Sequence, residues 1–448
     1  MNSRTNKSRK YARLASMTIL MVLLGCQKYS SSSTCDANAS YASGTANSLS
    51  QNINYLGTIT GTENNIMSVD VGVCGGTLNI PCASVTICVP GTIPPSSTNC
   101  QTINNLLLDT GSYGLRIFSS LVTISLPHVT VSGNNVGECV GYLDGSGDWG
   151  SVNSADVYLG GTSGQKAANI PIQLINSTYS GYNPSSNCAG YTVTLDTSPT
   201  STGFNGVLGV GLFTHDCGSG CTTNSTNHQY YTCTGSTCTS SSMVLTSQVQ
   251  NPVANFASGF NNGIALELPG VPASGAVSAP GYAIFGIGTV TSDGASAANN
   301  PGSSVVVYQG DTTYGDIDTT FDGTTYTDAS FLDSGSNGLY FPQDSSLPSC
   351  SGSLSSFFCP CSLTNLTATF NNNLGTLSGT SASFSIADAS VSFDSNNPNI
   401  VFNNLGGNLS GQFDWGLPFF LGRTVFIGIN GKSATINGTL YSGPYFAF

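Results

Sequence analysis

At 448 residues and 45.9 kDa, the chain is too long for one small core and predicts two domains or one large two-lobed domain. Only 7% of its residues are charged, and 21 Phe and 19 Tyr sit among 39% hydrophobic residues, which excludes a disordered chain, a helix bundle and a coiled coil. The net charge of -12 leaves no basic footprint, so nucleic acid is excluded as a partner.

The N-terminus reads as a targeting segment. Arg4, Lys7, Arg9, Lys10 and Arg13 precede an apolar run from Leu14 to Leu24. That run is shorter than the roughly 20 residues a membrane-spanning helix needs, so residues 1–25 are expected to be an export signal. Leu23-Leu24-Gly25-Cys26 resembles the bacterial lipobox. The resemblance implies cleavage before Cys26, lipidation of Cys26 and attachment to a membrane through that lipid. Gln27 in the next position implies outer-membrane delivery, hence a cell-envelope location facing the periplasm or the surface. Residues 26–54 are rich in Ser, Thr, Asn and Ala without an apolar period, and they predict a flexible tether.

From Asn52 onward, short apolar runs alternate with Gly, Asn, Ser and Pro turns. Runs over 105–109, 129–132, 156–159, 281–285 and 304–308 predict strands. The few helices are expected over Ser247–Ala257 and Pro342–Ser346. There are 15 Cys. Setting Cys26 aside for lipid leaves an even number, which in an exported chain predicts a disulfide framework of open connectivity. His215, Cys217, Cys221, His228, Cys233 and Cys238 invite a zinc reading. Their spacing is irregular and the compartment favours disulfides, so no metal or other cofactor is expected. Cys359 and Cys361 are too close in sequence to bond each other. The acidic stretch Asp311, Asp316, Asp318 and Asp322 fails the calcium-loop spacing and reads as a solvated loop. Trp149 and Trp415 read as core or groove-wall residues.

An internal repeat carries the chemistry. Leu107-Leu-Asp-Thr-Gly-Ser-Tyr-Gly-Leu115 matches Phe331-Leu-Asp-Ser-Gly-Ser-Asn-Gly-Leu339. Two such turns, each after an apolar strand, predict a duplicated lobe that brings Asp109 and Asp333 together. An Asp on a tight turn is conformationally fixed, the Gly permits close backbone approach, and the hydroxyl residues can bond the carboxylate. Two carboxyls at contact share one proton, so one can act as base on a water and the other as acid on a carbonyl oxygen.

The chain resembles the pepsin-type, two-lobed aspartic peptidases over most of residues 55–448. Asp109-Thr110-Gly111-Ser112 and Asp333-Ser334-Gly335-Ser336 resemble the two active-site motifs. Residues 204–211 and Phe419-Phe-Leu-Gly422 resemble the apolar-apolar-Gly elements that cross behind them. Tyr142-Leu-Asp-Gly-Ser146, followed by Asp156-Val-Tyr-Leu-Gly-Gly161, resembles the flap hairpin and its return strand. The resemblance implies a mainly β, disulfide-rich double-barrel fold with lobes over 55–300 and 301–448. It implies Asp109 and Asp333 as catalytic, Ser112 and Ser336 as their supports, and Tyr142 covering a peptide or protein substrate. More closely, Cys88-Val-Pro-Gly91, Asp109 to Arg116, Asp148-Trp-Gly150, Phe413 to Phe420 and Gly422-Arg423 resemble a bacterial family of predicted lipoproteins known only as a domain of unknown function.

Arg116, seven residues beyond Asp109, is one of five basic residues past Gly25. It either pairs with an active-site carboxylate, which would spoil the shared proton, or ties down Asp144, Asp148 or another neighbour. Two functions are therefore expected in turn. The first is an aspartic endopeptidase. The alternative is a non-catalytic descendant that binds peptides, glycans or envelope partners in the inter-lobe groove.

Overall fold

A computed structural model describes residues 63–75, 77–92, 98–289, 299–371 and 379–448. The expected signal 1–25, Cys26 and the tether 26–54 lie outside these residues. The protein is mainly β. Among the described residues, a 17-stranded sheet folds back on itself through extra pairings, and a 7-stranded sheet stands beside it.

The larger sheet begins with Ile66–Val71, Pro81–Cys88 and Cys100–Asp109. It crosses residue 300. Arg423–Gly428 pairs with Gly263–Leu268, and Tyr445–Ala447 pairs with both Arg423–Gly428 and Val307–Gln309. The smaller sheet runs from Ile317–Phe321 to Phe413–Gly416. Strands form where the sequence alternates. In Ile317–Phe321, Ile317, Thr319 and Phe321 point inward and are buried, while Asp318 and Thr320 are only partly covered. Strands at the centre lose the alternation because both faces are covered: all six residues of Tyr113–Phe118 are buried.

The expected helices are not there. Residues 247–257 hold only two 3-10 turns, Leu245–Ser247 at their edge and Val253–Asn255, and residues 342–346 hold no helix. Asn251 explains the first case. Its Oδ1 accepts from Val253 N at 3.0 Å and its Nδ2 donates to Gly211 O at 2.9 Å, so the side chain competes with helical pairing. Four α-helices of four or five residues occur among the described residues, at Pro199–Thr202, Ser219–Thr223, Ala389–Ser392 and Leu417–Phe420. No helix among the described residues is long and apolar enough to cross a membrane.

Both Trp residues are core. Trp415 packs between Phe413 and Phe370, with ring centroids 4.4 Å away on each side, and donates Nε1–H to Thr319 Oγ1 at 3.1 Å. Burying each large side chain of this kind contributes roughly 1.5–3 kcal/mol. Trp149 packs on Tyr179, Tyr182 and Tyr231 beside the Cys139–Cys188 and Cys233–Cys238 disulfides. Among the described residues, disulfides also join Cys74 to Cys82, Cys88 to Cys100, Cys217 to Cys221 and Cys350 to Cys359, and Cys361 is disulfide-bonded too. The four Cys of the possible zinc cluster are thus tied up as sulfur–sulfur pairs.

Candidate active site

Each Asp motif closes on itself through local bonds. Gly111 N and Ser112 N donate to Asp109 Oδ1 at 2.7 and 3.2 Å, and Ser112 Oγ donates to Asp109 Oδ2. Gly335 N and Ser336 N donate to Asp333 Oδ1 at 2.7 and 3.3 Å, and Ser336 Oγ contacts Asp333 Oδ2 at 3.0 Å. The motif residues do this at fixed sequence offsets, so two nearly identical loops result from two nearly identical sequences.

The two loops then grip each other. Thr110 Oγ1 donates to Leu332 O at 3.0 Å and accepts from Ser334 N at 2.9 Å. Ser334 Oγ donates to Leu108 O at 2.7 Å and accepts from Thr110 N at 3.1 Å. Four buried bonds between segments more than 220 residues apart fix the spacing of the carboxyls. A Cβ on Gly335 would sit 2.8 Å from Asp109 Cγ and 3.0 Å from Asp333 Oδ1. Only glycine lets the second loop pass that close.

Asp109 and Asp333 are both 0% exposed and hydrogen-bond each other. Burial pushes both carboxyls above the usual range, and for Asp333 the neighbouring Asp109 and Asp414 push further. Asp333 therefore ends well above its ordinary value, whereas bonds from Asp333, Ser112 and the turn amides hold Asp109 back. Two buried carboxyls in contact, both raised, favour one proton shared between them. Among the described residues no ion pair reaches either carboxyl. A small, water-sized pocket lies beside the paired loops, lined by Thr110, Gly111, Tyr113, Leu212, Asp316 and Leu332 among others.

Arg116 does not touch the dyad. Fully buried, its Nη2 meets Glu138 Oε1 at 2.8 Å and Asp216 Oδ2 at 2.9 Å, and its Nη1 donates to Tyr113 O at 2.9 Å. Burial opposes its charge, but Glu138, Tyr142 and Asp216 outweigh that and hold the guanidinium ionised. Tyr230 adds an O–H to Asp216 Oδ1 at 2.6 Å. Of the readings open for Arg116, the partner is another neighbour: Glu138 and Asp216, not Asp144 or Asp148. Arg423 forms no ion pair among the described residues; it donates to Phe419 O at 2.5 Å and lies 4.2 Å over the Phe419 ring.

Tyr142 stands on the hairpin between Asn134–Gly141 and Ser146–Leu159, where Gly145 takes a positive φ of 86°. Its ring is only 2% exposed and its hydroxyl donates to Asp148 Oδ2 at 2.7 Å. Asp148, Arg116 and Asp196 supply the charges around it. Thr110, Gly111, Ser112, Ser334, Gly335 and Ser336 are thus gathered at the dyad, and Tyr142 is bonded elsewhere.

One residue of the site was not expected. The strand Gly206–Val210 runs parallel to the first Asp strand, with Val207, Leu208 and Gly209 opposite Leu107, Leu108 and Asp109. Its counterpart in the smaller sheet is Asp414-Trp415-Gly416, opposite Phe331, Leu332 and Asp333. The element expected at Phe419-Phe-Leu-Gly422 is therefore displaced; Leu417–Phe420 is a short helix and Leu421-Gly422 lead into Arg423–Gly428. The signal was an apolar-apolar-Gly pattern whose first position carries an acid, which hides it. Asp414 reaches Ser336 Oγ at 2.6 Å.

No curated protein matches the chain. Residues 61–448 match the family described as "Protein of unknown function (DUF3443)". That match spans both sheets, both Asp loops and Asp414, and the chain belongs to this family.

Proposed function

We propose that this chain is a pepsin-like aspartic endopeptidase, held on the cell envelope by lipid at Cys26. One observation carries the reading. Two Asp loops from distant segments lock reciprocally and bring two buried carboxyls, both raised, into hydrogen-bond contact. In that arrangement Asp109 takes a proton from a water as it attacks the peptide carbonyl carbon. Asp333 gives its proton to the carbonyl oxygen. The resulting gem-diol then collapses: one of its hydroxyls returns its proton to Asp333, the C–N bond breaks, and the proton held by Asp109 passes to the leaving nitrogen. Thr110 and Ser334 hold the two loops, and Ser112 and Ser336 orient the carboxyls.

The test is cleavage of a mixed peptide library from acid to neutral pH by the purified chain in detergent, beside Asp109→Asn and Asp333→Asn. Cleavage lost in both variants supports the dyad. A folded chain that cuts nothing overturns it.

A second reading has its own observation. Tyr142 is committed to Asp148 rather than free over the dyad. A groove that binds peptide, glycan or an envelope partner without cutting would show binding unaffected by Asp333→Asn. The anchor is tested separately. Lipid on Cys26 in the outer-membrane fraction, lost in Cys26→Ser, is the expected result, and an unmodified soluble chain would sink it.

A further inference from the structure

Ser336 faces two carboxyls with one proton to give. Its Oγ lies 3.0 Å from Asp333 Oδ2 and 2.6 Å from Asp414 Oδ2. A serine hydroxyl donates once and accepts at its lone pairs. If both carboxyls were ionised, one of those contacts would set two bare oxygens against each other. One of Asp333 and Asp414 must therefore donate to Ser336.

We infer that Asp414 is a third carboxyl of the site, a positioning residue that keeps its own proton, donates that O–H to Ser336 Oγ and so commits the Ser336 hydroxyl to Asp333. The inference rests on the dyad reading above and deepens it. Its consequence is directional. With Ser336 already donating to Asp333 Oδ2, the proton of Asp333 has no partner there and stays on the side of Asp109, where the chemistry needs it.

The surroundings of Asp414 favour the neutral form. It is 1% exposed, and its Oδ1 has no hydrogen-bond partner. A bare buried carboxylate oxygen is costly; a neutral carbonyl oxygen much less so. The titratable groups around it are Asp333 through Ser336, Asp109, and Tyr340 opposite it on Leu339–Phe341, whose hydroxyl is given to Asn337 Oδ1 at 2.5 Å. Asp144 lies beyond Tyr340. None of these is a cation, and among the described residues no ion pair reaches Asp414. Burial first, and Asp109 next among the upward influences, keep its carboxyl protonated against the pull of Ser336. The first lobe has Val207 in the equivalent place, and there Ser112 donates to Asp109 without a third group.

The test compares Asp414→Asn, which keeps an N–H for Ser336, with Asp414→Val, which copies the first lobe. Infrared spectra of the full chain in detergent and heavy water at neutral pH come first. The difference between the parent and Asp414→Asn should lose one protonated-carboxyl C=O band; no lost band overturns the inference. In peptide cleavage, Asp414→Asn should stay within about threefold of the parent in kcat, and Asp414→Val should lose about tenfold. The basic limb of the kcat profile should move to higher pH in Asp414→Val only, because Ser336, no longer fixed by a donor at position 414, is less committed to the bond that favours the ionised form of Asp333. Equal losses in both variants with unmoved profiles would make Asp414 merely structural and overturn the inference. If the parent cuts no peptide, the endopeptidase reading fails, and the infrared result still decides where the proton is.

Discussion

The two Asp loops are alike in every local bond and differ in what stands behind them. In each, the Asp accepts from the amides two and three residues on and contacts the Ser hydroxyl. Seven residues beyond the Asp, however, the first lobe has Arg116 and the second Tyr340. Arg116 sits between Glu138 and Asp216, while Tyr340 bonds Asn337 in its own loop. Across the crossing strand the first lobe has Val207 and the second Asp414. The lesson is about range. Bonds within a nine-residue motif repeat when the motif repeats. Partners supplied by other segments need not, and here they make the two Asp loops chemically unequal: one is backed by a paired cation, the other by an extra carboxyl.

The largest effect should come from the one feature the lobes share. Asp109→Asn and Asp333→Asn should each lower kcat by about 10³–10⁴-fold with near-parental KM. Near-ultraviolet circular dichroism should stay native in both. A variant that still turns over at a tenth of the parent rate would remove its Asp from the chemistry.

Arg116→Met breaks the side of the first lobe that the second lacks. It leaves Glu138 and Asp216 buried without their cation, which costs about 3–5 kcal/mol of stability. Denaturant unfolding should show the loss, and Glu138→Gln added to it should recover part. If Arg116→Met unfolds at the parent midpoint, the ion cluster contributes nothing to the fold. Thr110→Val and Ser334→Ala test the reciprocal grip and should each cost about 1–3 kcal/mol, because each strands buried donors or acceptors of the other loop. The two losses should not add, since the four bonds form one network.

Much of this was legible in the sequence where causes are local. The Asp loops could be found because the offsets that make their bonds are written within the motif. The strand over 105–109 was legible for the same kind of reason, and the disulfides were legible from the number of Cys residues. The site's long-range parts were not. Asp414 sits in a strand whose apolar pattern it interrupts, so nothing in residues 413–416 announces that they lie opposite Phe331-Leu332-Asp333. Arg116 was visible as one of few basic residues in need of an acidic partner, but its partners Glu138 and Asp216 come from two other segments. The hairpin of Tyr142 was legible; the direction of its hydroxyl depends on Asp148, across the turn. Residues 247–257 read as helix until Asn251 is seen bonding across to Gly211.

The smallest predicted effect concerns pH, and it separates the hairpin from the dyad. Near the turn, burial raises Asp148 to about 6 and Asp144 to about 7, and burial together with the neighbouring Asp148 and Asp144 raises Asp196 to about 9. All three are raised above an unfolded value near 3.8. The sign follows from linkage: a raised carboxyl contributes stability that is complete below about pH 4 and is lost as pH climbs through its folded value. The thermal midpoint should therefore be highest in acid and fall by a few degrees between pH 5 and 9, the reverse of a protein held by ionised carboxylates. The small number of basic groups past Gly25 works the same way, since acid adds little positive self-repulsion. Asp196→Asn should flatten the upper part of that fall, between pH 7 and 9, and leave the peptide-cleavage profile where it was. If the midpoint instead rises from pH 5 to 9, the carboxyls of Asp144, Asp148 and Asp196 are not raised in the folded chain. If Asp196→Asn moves the cleavage profile, the hairpin and the dyad titrate together, and the two lobes are electrostatically less separate than their unequal backings imply.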